Sequence, residues 1–284
     1  MWSCSNCRLE QPQSIEALHV TSFALFKRSR HIHLEEIVLA DDIARNLTQV
    51  LSRRNKRSYR NDSRVKAVPG TYKAFIEKIP YLKELGITHV QLLPVLNFYN
   101  NDETDKSYDN RGVVNGSNYN WGYDPHNYFT PEGWYASDAS DPYARVRELR
   151  ELINEIHKAG MGVLLDVVYN HMGNAALLDD IVPGYYFRMN ENGGFKSNSG
   201  CGNDTATERA MMKRIVTDST EHWVKNYRAD GFRFDLMGVH SKEAMTEVYN
   251  ALKEIDPKVM VYGEPWTGGD CCQCNIFCIV PQSK

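Results

Sequence analysis

The stretch Gly162-Val163-Leu164-Leu165-Asp166-Val167-Val168-Tyr169-Asn170-His171 decides how this chain folds. It is an apolar run broken by one acid and closed by polar side chains. A near-continuous run of this kind reads as a strand of a parallel sheet, buried on both faces. Upstream, Val146, Leu149, Leu152, Ile153 and Ile156 recur at helical spacing, and Gly160 stops the pattern. Before that helix comes a second apolar run, Ile87–Val95. Downstream, a helix is expected over 208–227 and a strand over Gly231–Leu236. A helix capped by Ser241 follows, carrying Met245, Val248, Leu252 and Ile255 on one face, and then a strand over Val259–Tyr262. From residue 71 the order is helix then strand, four times over, which is the alternation of a parallel α/β sheet, a barrel or a doubly wound fold.

Two details qualify this pattern. Thr71–Leu85 carries a helical stripe, but Pro80 should kink or split it. Residues 96–141 are rich in Asn, Asp, Gly and Tyr and read as a long loop, which in a compact domain usually serves function. No G-x-G-x-x-G follows a strand and no P-loop is present, so nucleotide binding has no local support.

The 284 residues are 42% hydrophobic and 24% charged with a net charge of −3, an ordinary globular composition. No apolar run approaches the roughly 18–20 residues of a spanning helix, and no membrane partner is expected. Residues 1–66 hold 12 Lys and Arg against 7 Asp and Glu, including Arg53-Arg54-Asn55-Lys56-Arg57. No aromatic side chains interleave that run, so a solvated segment is a better reading than a nucleic-acid patch. One helix is expected near Leu34–Leu51. Six of seven cysteines, Cys4, Cys7, Cys271, Cys272, Cys274 and Cys278, lie at the two ends, and Cys201 alone lies between. Cys4-x-x-Cys7 with the terminal cluster could bind zinc by spacing alone, but Cys271-Cys272-Gln273-Cys274 is not a usual zinc knuckle and no histidine lies nearby in sequence. The start of the chain shows no secretory signal, which favours a cytoplasmic protein, with secretion open if that start is not genuine.

Each strand ends in polar groups: Asp166, Asn170 and His171, then Arg233 and Asp235, then Glu264. In a barrel these C-terminal ends surround the active site. Arg233 and Asp235 are two apart on a strand and share a face. A guanidinium beside a carboxylate favours the ionised form, while apolar neighbours such as Pro265 and Trp266 favour a protonated Glu264. One ionised and one protonated carboxyl is what a retaining glycosidase uses. The aromatic loop Tyr119-Asn120-Trp121-Gly122-Tyr123-Asp124-Pro125 suits a sugar, with ring faces against pyranose C–H groups and Asn and Asp on hydroxyls.

Asp166–His171, Gly231–Asp235 and Tyr262–Trp266 resemble three conserved regions of the α-amylase superfamily, glycoside hydrolase family 13, in the right order. Tyr119–Pro125 and Asp235-Leu236-Met237-Gly238 resemble the type I pullulanases within it. The resemblance covers about residues 67–268. It implies a (β/α)8 TIM-barrel catalytic domain, incomplete, with about the first five βα units, and hydrolysis of α-1,6-glucosidic bonds in α-glucans. It implies Asp235 as nucleophile, Glu264 as acid/base and Arg233 as the residue orienting the nucleophile. Substrate contacts are implied for Tyr123, Asp124, His171, Asp166, Asn170, Trp121, His240 and Trp266. No cofactor is required by it. Calcium stays open, because Asn170 matches a metal ligand in calcium-binding members.

The chain also departs from the family pattern. Ile15–Val20 is a poor echo of the strand that opens the barrel, and residues 24–66 match nothing expected there. No later His-Asp region follows Glu264. Three segments result: an irregular basic segment 1–66, a partial catalytic domain 67–268 and a Cys-rich tail 269–284. The chain therefore reads as a fragment with impaired hydrolysis. The alternatives are an inactive α-glucan-binding fragment, another family 13 activity such as isoamylase, branching enzyme or α-amylase, and a zinc or nucleic-acid protein acting through its ends. Oligomeric state is left open.

Overall fold

The structure is a computed structural model that describes residues 67, 70–105 and 120–264, and the backbone of 25–27. Five strands form one sheet in the order β1-β2-β5-β6-β7. They are β1 (Leu25–Lys27), β2 (Ile87–Leu92), β5 (Gly162–Val167), β6 (Gly231–Phe234) and β7 (Met260–Gly263). The last four run parallel. The antiparallel edge strand β1 was not foreseen. The expected strand Ile15–Val20, the helix near Leu34–Leu51, the basic run and the six terminal cysteines all lie outside the described residues.

The helices α3 (Ala144–Lys158), α5 (Ala210–Tyr227) and α6 (Lys242–Ile255) connect the parallel strands, with the short α4 (Ala176–Asp179) in the segment before α5. Strand side chains alternate between faces. Val90, Leu92, Val163, Leu165, Val167, Phe232, Phe234 and Val261 occupy one face and join the buried core with Leu149, Leu152, Ile153 and Ile156 of α3, Trp223 of α5 and Val248 and Leu252 of α6. The opposite face carries Gln91, Leu164, Asp166, Arg233 and Tyr262. Its polar members meet one another, since the Tyr262 hydroxyl bonds the Gln91 side-chain carbonyl. Helices on one face and polar side chains on the other fit the partial (β/α)8 barrel that the resemblance implies. This layering explains why the strands read as unbroken apolar runs with isolated polar residues set within them.

Pro80 splits the first helical stripe as expected. Helix α1 (Tyr72–Ile76) ends before it, and α2 (Ile79–Glu84) carries the proline in its first turn, where no amide hydrogen is missed. The long polar stretch departs from expectation. It contains a hairpin, β3 (Leu96–Phe98) with β4 (Pro125–Pro131). In β4 the buried residues are Pro125, Tyr128 and Pro131, three apart, because the pairing shifts register twice. A bulged strand loses the period of two by which strands are recognised.

Ser241 caps α6, its hydroxyl accepting the Ala244 amide at 3.2 Å. Ser241→Ala is expected to cost about 1 kcal/mol in urea unfolding. A change within error would mean that the cap does not hold this helix.

Candidate active site

Parallel register sets Asp166 of β5 beside Arg233 of β6, and Arg233 beside Tyr262 of β7. Asp235 and Glu264 follow directly on β6 and β7. Their backbones continue the ladder, with the Asp235 amide on the Val167 carbonyl at 2.9 Å and the Glu264 amide on the Phe234 carbonyl at 3.0 Å. Three acids on three adjacent strands thus converge on one guanidinium.

Arg233 is the hub. Its Nη1 donates to Asp166 Oδ1 at 2.7 Å and to Asp235 Oδ1 at 3.0 Å, and its Nη2 pairs with Glu264 Oε1. Asp166 lies deepest, with 1% of its side chain exposed against 14% for Asp235 and 35% for Glu264. Burial pushes the Asp166 carboxyl up to about 7 against the pull of Arg233. The Tyr123 hydroxyl donates to Asp166 Oδ2 at 2.8 Å, and burial beside that carboxylate raises the phenol above its ordinary range. Among the described residues, Glu264 is met by Arg233 and by the Leu236 amide at 3.4 Å. Pro265 and Trp266 lie outside the described residues.

Asn170 Nδ2 donates to both Oδ2 and the backbone carbonyl of Asp235, each at 3.0 Å. Its Oδ1 lies 2.6 Å from His171 Nδ1. Both Asp235 oxygens are therefore held, one by Arg233 and one by Asn170. His171 is 4% exposed, and burial lowers its basicity, opposed by Asp124. In this arrangement the Asn170 side-chain oxygen, the atom the resemblance would offer to calcium, is engaged by His171. Among the described residues no group of three or more His, Cys, Asp and Glu could hold a metal.

The aromatic turn is built by Asn120. Its Oδ1 accepts the Gly122 amide at 2.8 Å, and its Nδ2 donates to Asp124 Oδ1 at 2.9 Å and to the Tyr99 carbonyl at 2.8 Å. Gly122 has φ +88°, and a Cβ there would meet Pro94 Cβ at 2.9 Å, so both its backbone and its packing require glycine. Burial raises the Asp124 carboxyl. Trp121 stands at the rim, 40% exposed.

His240 departs from its expected place at the substrate. The 3-10 turn Met237–Val239 carries it inward to 5% exposure, where its ring stands edge-on to core residue Phe234. Burial pulls its basicity down to about 3.

Tyr128, an aromatic of the long polar stretch that suited a sugar, is instead buried and donates its hydroxyl to the His171 carbonyl at 3.1 Å. Other supporting residues escaped the sequence reading. Asn203 brackets the Met172 backbone with bonds of 2.9 and 2.8 Å. Thr205 Oγ1 donates to the Tyr169 carbonyl at 2.6 Å. Gln91 was legible as a polar residue inside an apolar run; the others carry no local signal.

No helix among the described residues is long and apolar enough to cross a membrane. The family profile for the α-amylase catalytic domain matches residues 49–181. Pullulanase A of Streptococcus pneumoniae serotype 4 is 46% identical over 202 residues, which is 69% of this chain and 15% of that protein. Pullulanase of Bacillus subtilis strain 168 is 40% identical over 190 residues, 66% of this chain and 25% of its own. Among solved structures, the Group B Streptococcus pullulanase SAP superposes with a TM-score of 0.67 at 44% identity, covering 72% of this chain and 26% of that one. The same enzyme in complex with maltotetraose gives 0.66 at 45% identity, over 71% and 26%. This chain thus spans about a quarter or less of the length of these relatives. The profile, the relatives and the strand-end acids agree, and the chain belongs to the α-amylase superfamily, glycoside hydrolase family 13.

Proposed function

We propose that these residues carry the nucleophile and acid/base half of a retaining α-1,6-glucosidase centre that debranches α-glucans. The observation that carries this reading is the convergence of Asp166, Asp235 and Glu264 on Arg233. Two carboxylates bonded to one guanidinium suit the separation of about 5–5.5 Å used with retention. Asp235 attacks the anomeric carbon and forms a glycosyl ester. Glu264, released from Arg233 and protonated from solvent, gives that proton to the departing glycosidic oxygen. Water then attacks the anomeric carbon, Glu264 takes the water's proton, and the Asp235 carboxylate is released. Arg233 and Asn170 fix the attacking carboxylate, and Tyr123 closes the floor over Asp166.

Binding without turnover is the second reading. It is favoured by the Arg233–Glu264 pair, which occupies the acid, and by the lack of a further carboxylate on this hub among the described residues. Slow reducing-sugar release from pullulan is expected, lost in Asp235→Ala while maltotetraose binding persists. Release that survives Asp235→Ala would remove Asp235 from its role. Binding with no release at all would favour the second reading, and neither binding nor release would reject both.

A further inference from the structure

Tyr99 follows β3 on the rim of this centre and is 37% exposed. The fold nevertheless fixes it. Its amide donates to the Asp124 carbonyl at 2.8 Å, and its carbonyl accepts from Asn120 at 2.8 Å. The next residue, Asn100, takes a left-handed φ of 57° and donates to Asp124 Oδ2 at 2.9 Å. The Tyr99 Cβ sits where Gly173 leaves room: a Cβ on Gly173 would lie 2.9 Å from it. The ring stands edge-on to His126, with centroids 5.3 Å apart. Asparagine is the side chain that tolerates the left-handed region, and glycine at 173 leaves the room the ring's Cβ needs. Here they hold in place an aromatic side chain that stays partly in water.

Its position suits a ligand. Asn120 ties Tyr99 to the turn that carries the exposed Trp121, and Asp124 ties it to Tyr123, whose hydroxyl reaches Asp166. We infer that Tyr99 is a stacking platform for an α-linked glucose unit outside the position where the bond is cut. This rests on the α-glucan reading above. A flat ring with a polar tip matches a pyranose, which has an apolar C–H face and a hydroxyl edge. A ring already fixed loses little freedom on binding.

Calorimetric titration of the 284-residue chain with maltotetraose tests it. Tyr99→Leu keeps the packed Cβ and apolar bulk but has no flat face, and is expected to bind about tenfold more weakly, about 1.4 kcal/mol. Tyr99→Phe should bind like the parent, as should Tyr143→Leu, a change at a tyrosine 69% exposed elsewhere. Parent-like binding by Tyr99→Leu overturns the platform and leaves the α-glucan reading standing. No binding by the parent overturns both. Saturation transfer from the Tyr99 ring protons to maltotetraose in the unsubstituted chain checks the same contact without a variant, and its absence overturns the platform.

Discussion

Arg233→Met is expected to destabilise the described fold by about 3–5 kcal/mol at pH 8, because it leaves a buried charge without its partner. The side chain removed is 13% exposed and faces Asp166, which is 1% exposed. Methionine fills the volume but offers no donor. Tyr123 then remains as the one described side-chain donor to Asp166. The cost should depend on pH in a defined sense. With Arg233 present, the Asp166 carboxyl ionises at about 7 in the folded state, above its ordinary 3.8. The stability contributed by keeping it neutral is complete below about 3.8 and is lost as pH rises through 7. Arg233 holds that value down, so without it the loss continues to higher pH. The gap between parent and variant therefore widens from pH 5.5 to pH 8. Urea unfolding at the two values measures it. A gap that is equal at both, or larger at pH 5.5, would mean that the ionisation of Asp166 does not govern the hub.

The convergence on Arg233 also shows which parts of this molecule can be read from its residues. Asp166, Arg233, Asp235 and Glu264 each announce themselves as a polar residue ending an apolar strand. Their meeting depends on register. Asp166 stands beside Arg233 only because Leu164 pairs with Gly231, and no local pattern states that pairing. Helices α3, α5 and α6 follow their periodicity, with Pro80 and Ser241 acting where their chemistry says they should. Strand β4 did not, because its bulged pairing to β3 buries every third residue. For His240 the resemblance implies a substrate contact, whereas the intervening 3-10 turn sets its ring edge-on to Phe234, a placement no local pattern states.

Trp223→Ala is expected to cost about 3–5 kcal/mol, the range for emptying a fully buried large aromatic site. Trp223 is 0% exposed and stacks on Tyr227 with centroids 4.6 Å apart. Its Nε1 donates to the Tyr128 carbonyl at 2.9 Å, and Ser219 Oγ donates to the same oxygen at 2.7 Å. Because Ser219 would keep that carbonyl satisfied, Trp223→Phe should cost only about 1 kcal/mol beyond its small loss of volume. A phenylalanine variant as unstable as the alanine one would show that the hydrogen bond outweighs the packing. The effect should also reach the site. Tyr128 lies on β4, and its hydroxyl holds the His171 carbonyl at 3.1 Å. The same strand follows directly on the turn carrying Trp121, Tyr123 and Asp124. Loosening β4 from α5 therefore loosens both walls of the proposed sugar site. Maltotetraose binding is expected to weaken in Trp223→Ala under conditions where the protein remains folded, and to stay near the parent value in Trp223→Phe. Unchanged binding in the folded alanine variant would show that the hairpin is anchored from the Asn120 side, through Tyr99 and Asp124, rather than from α5.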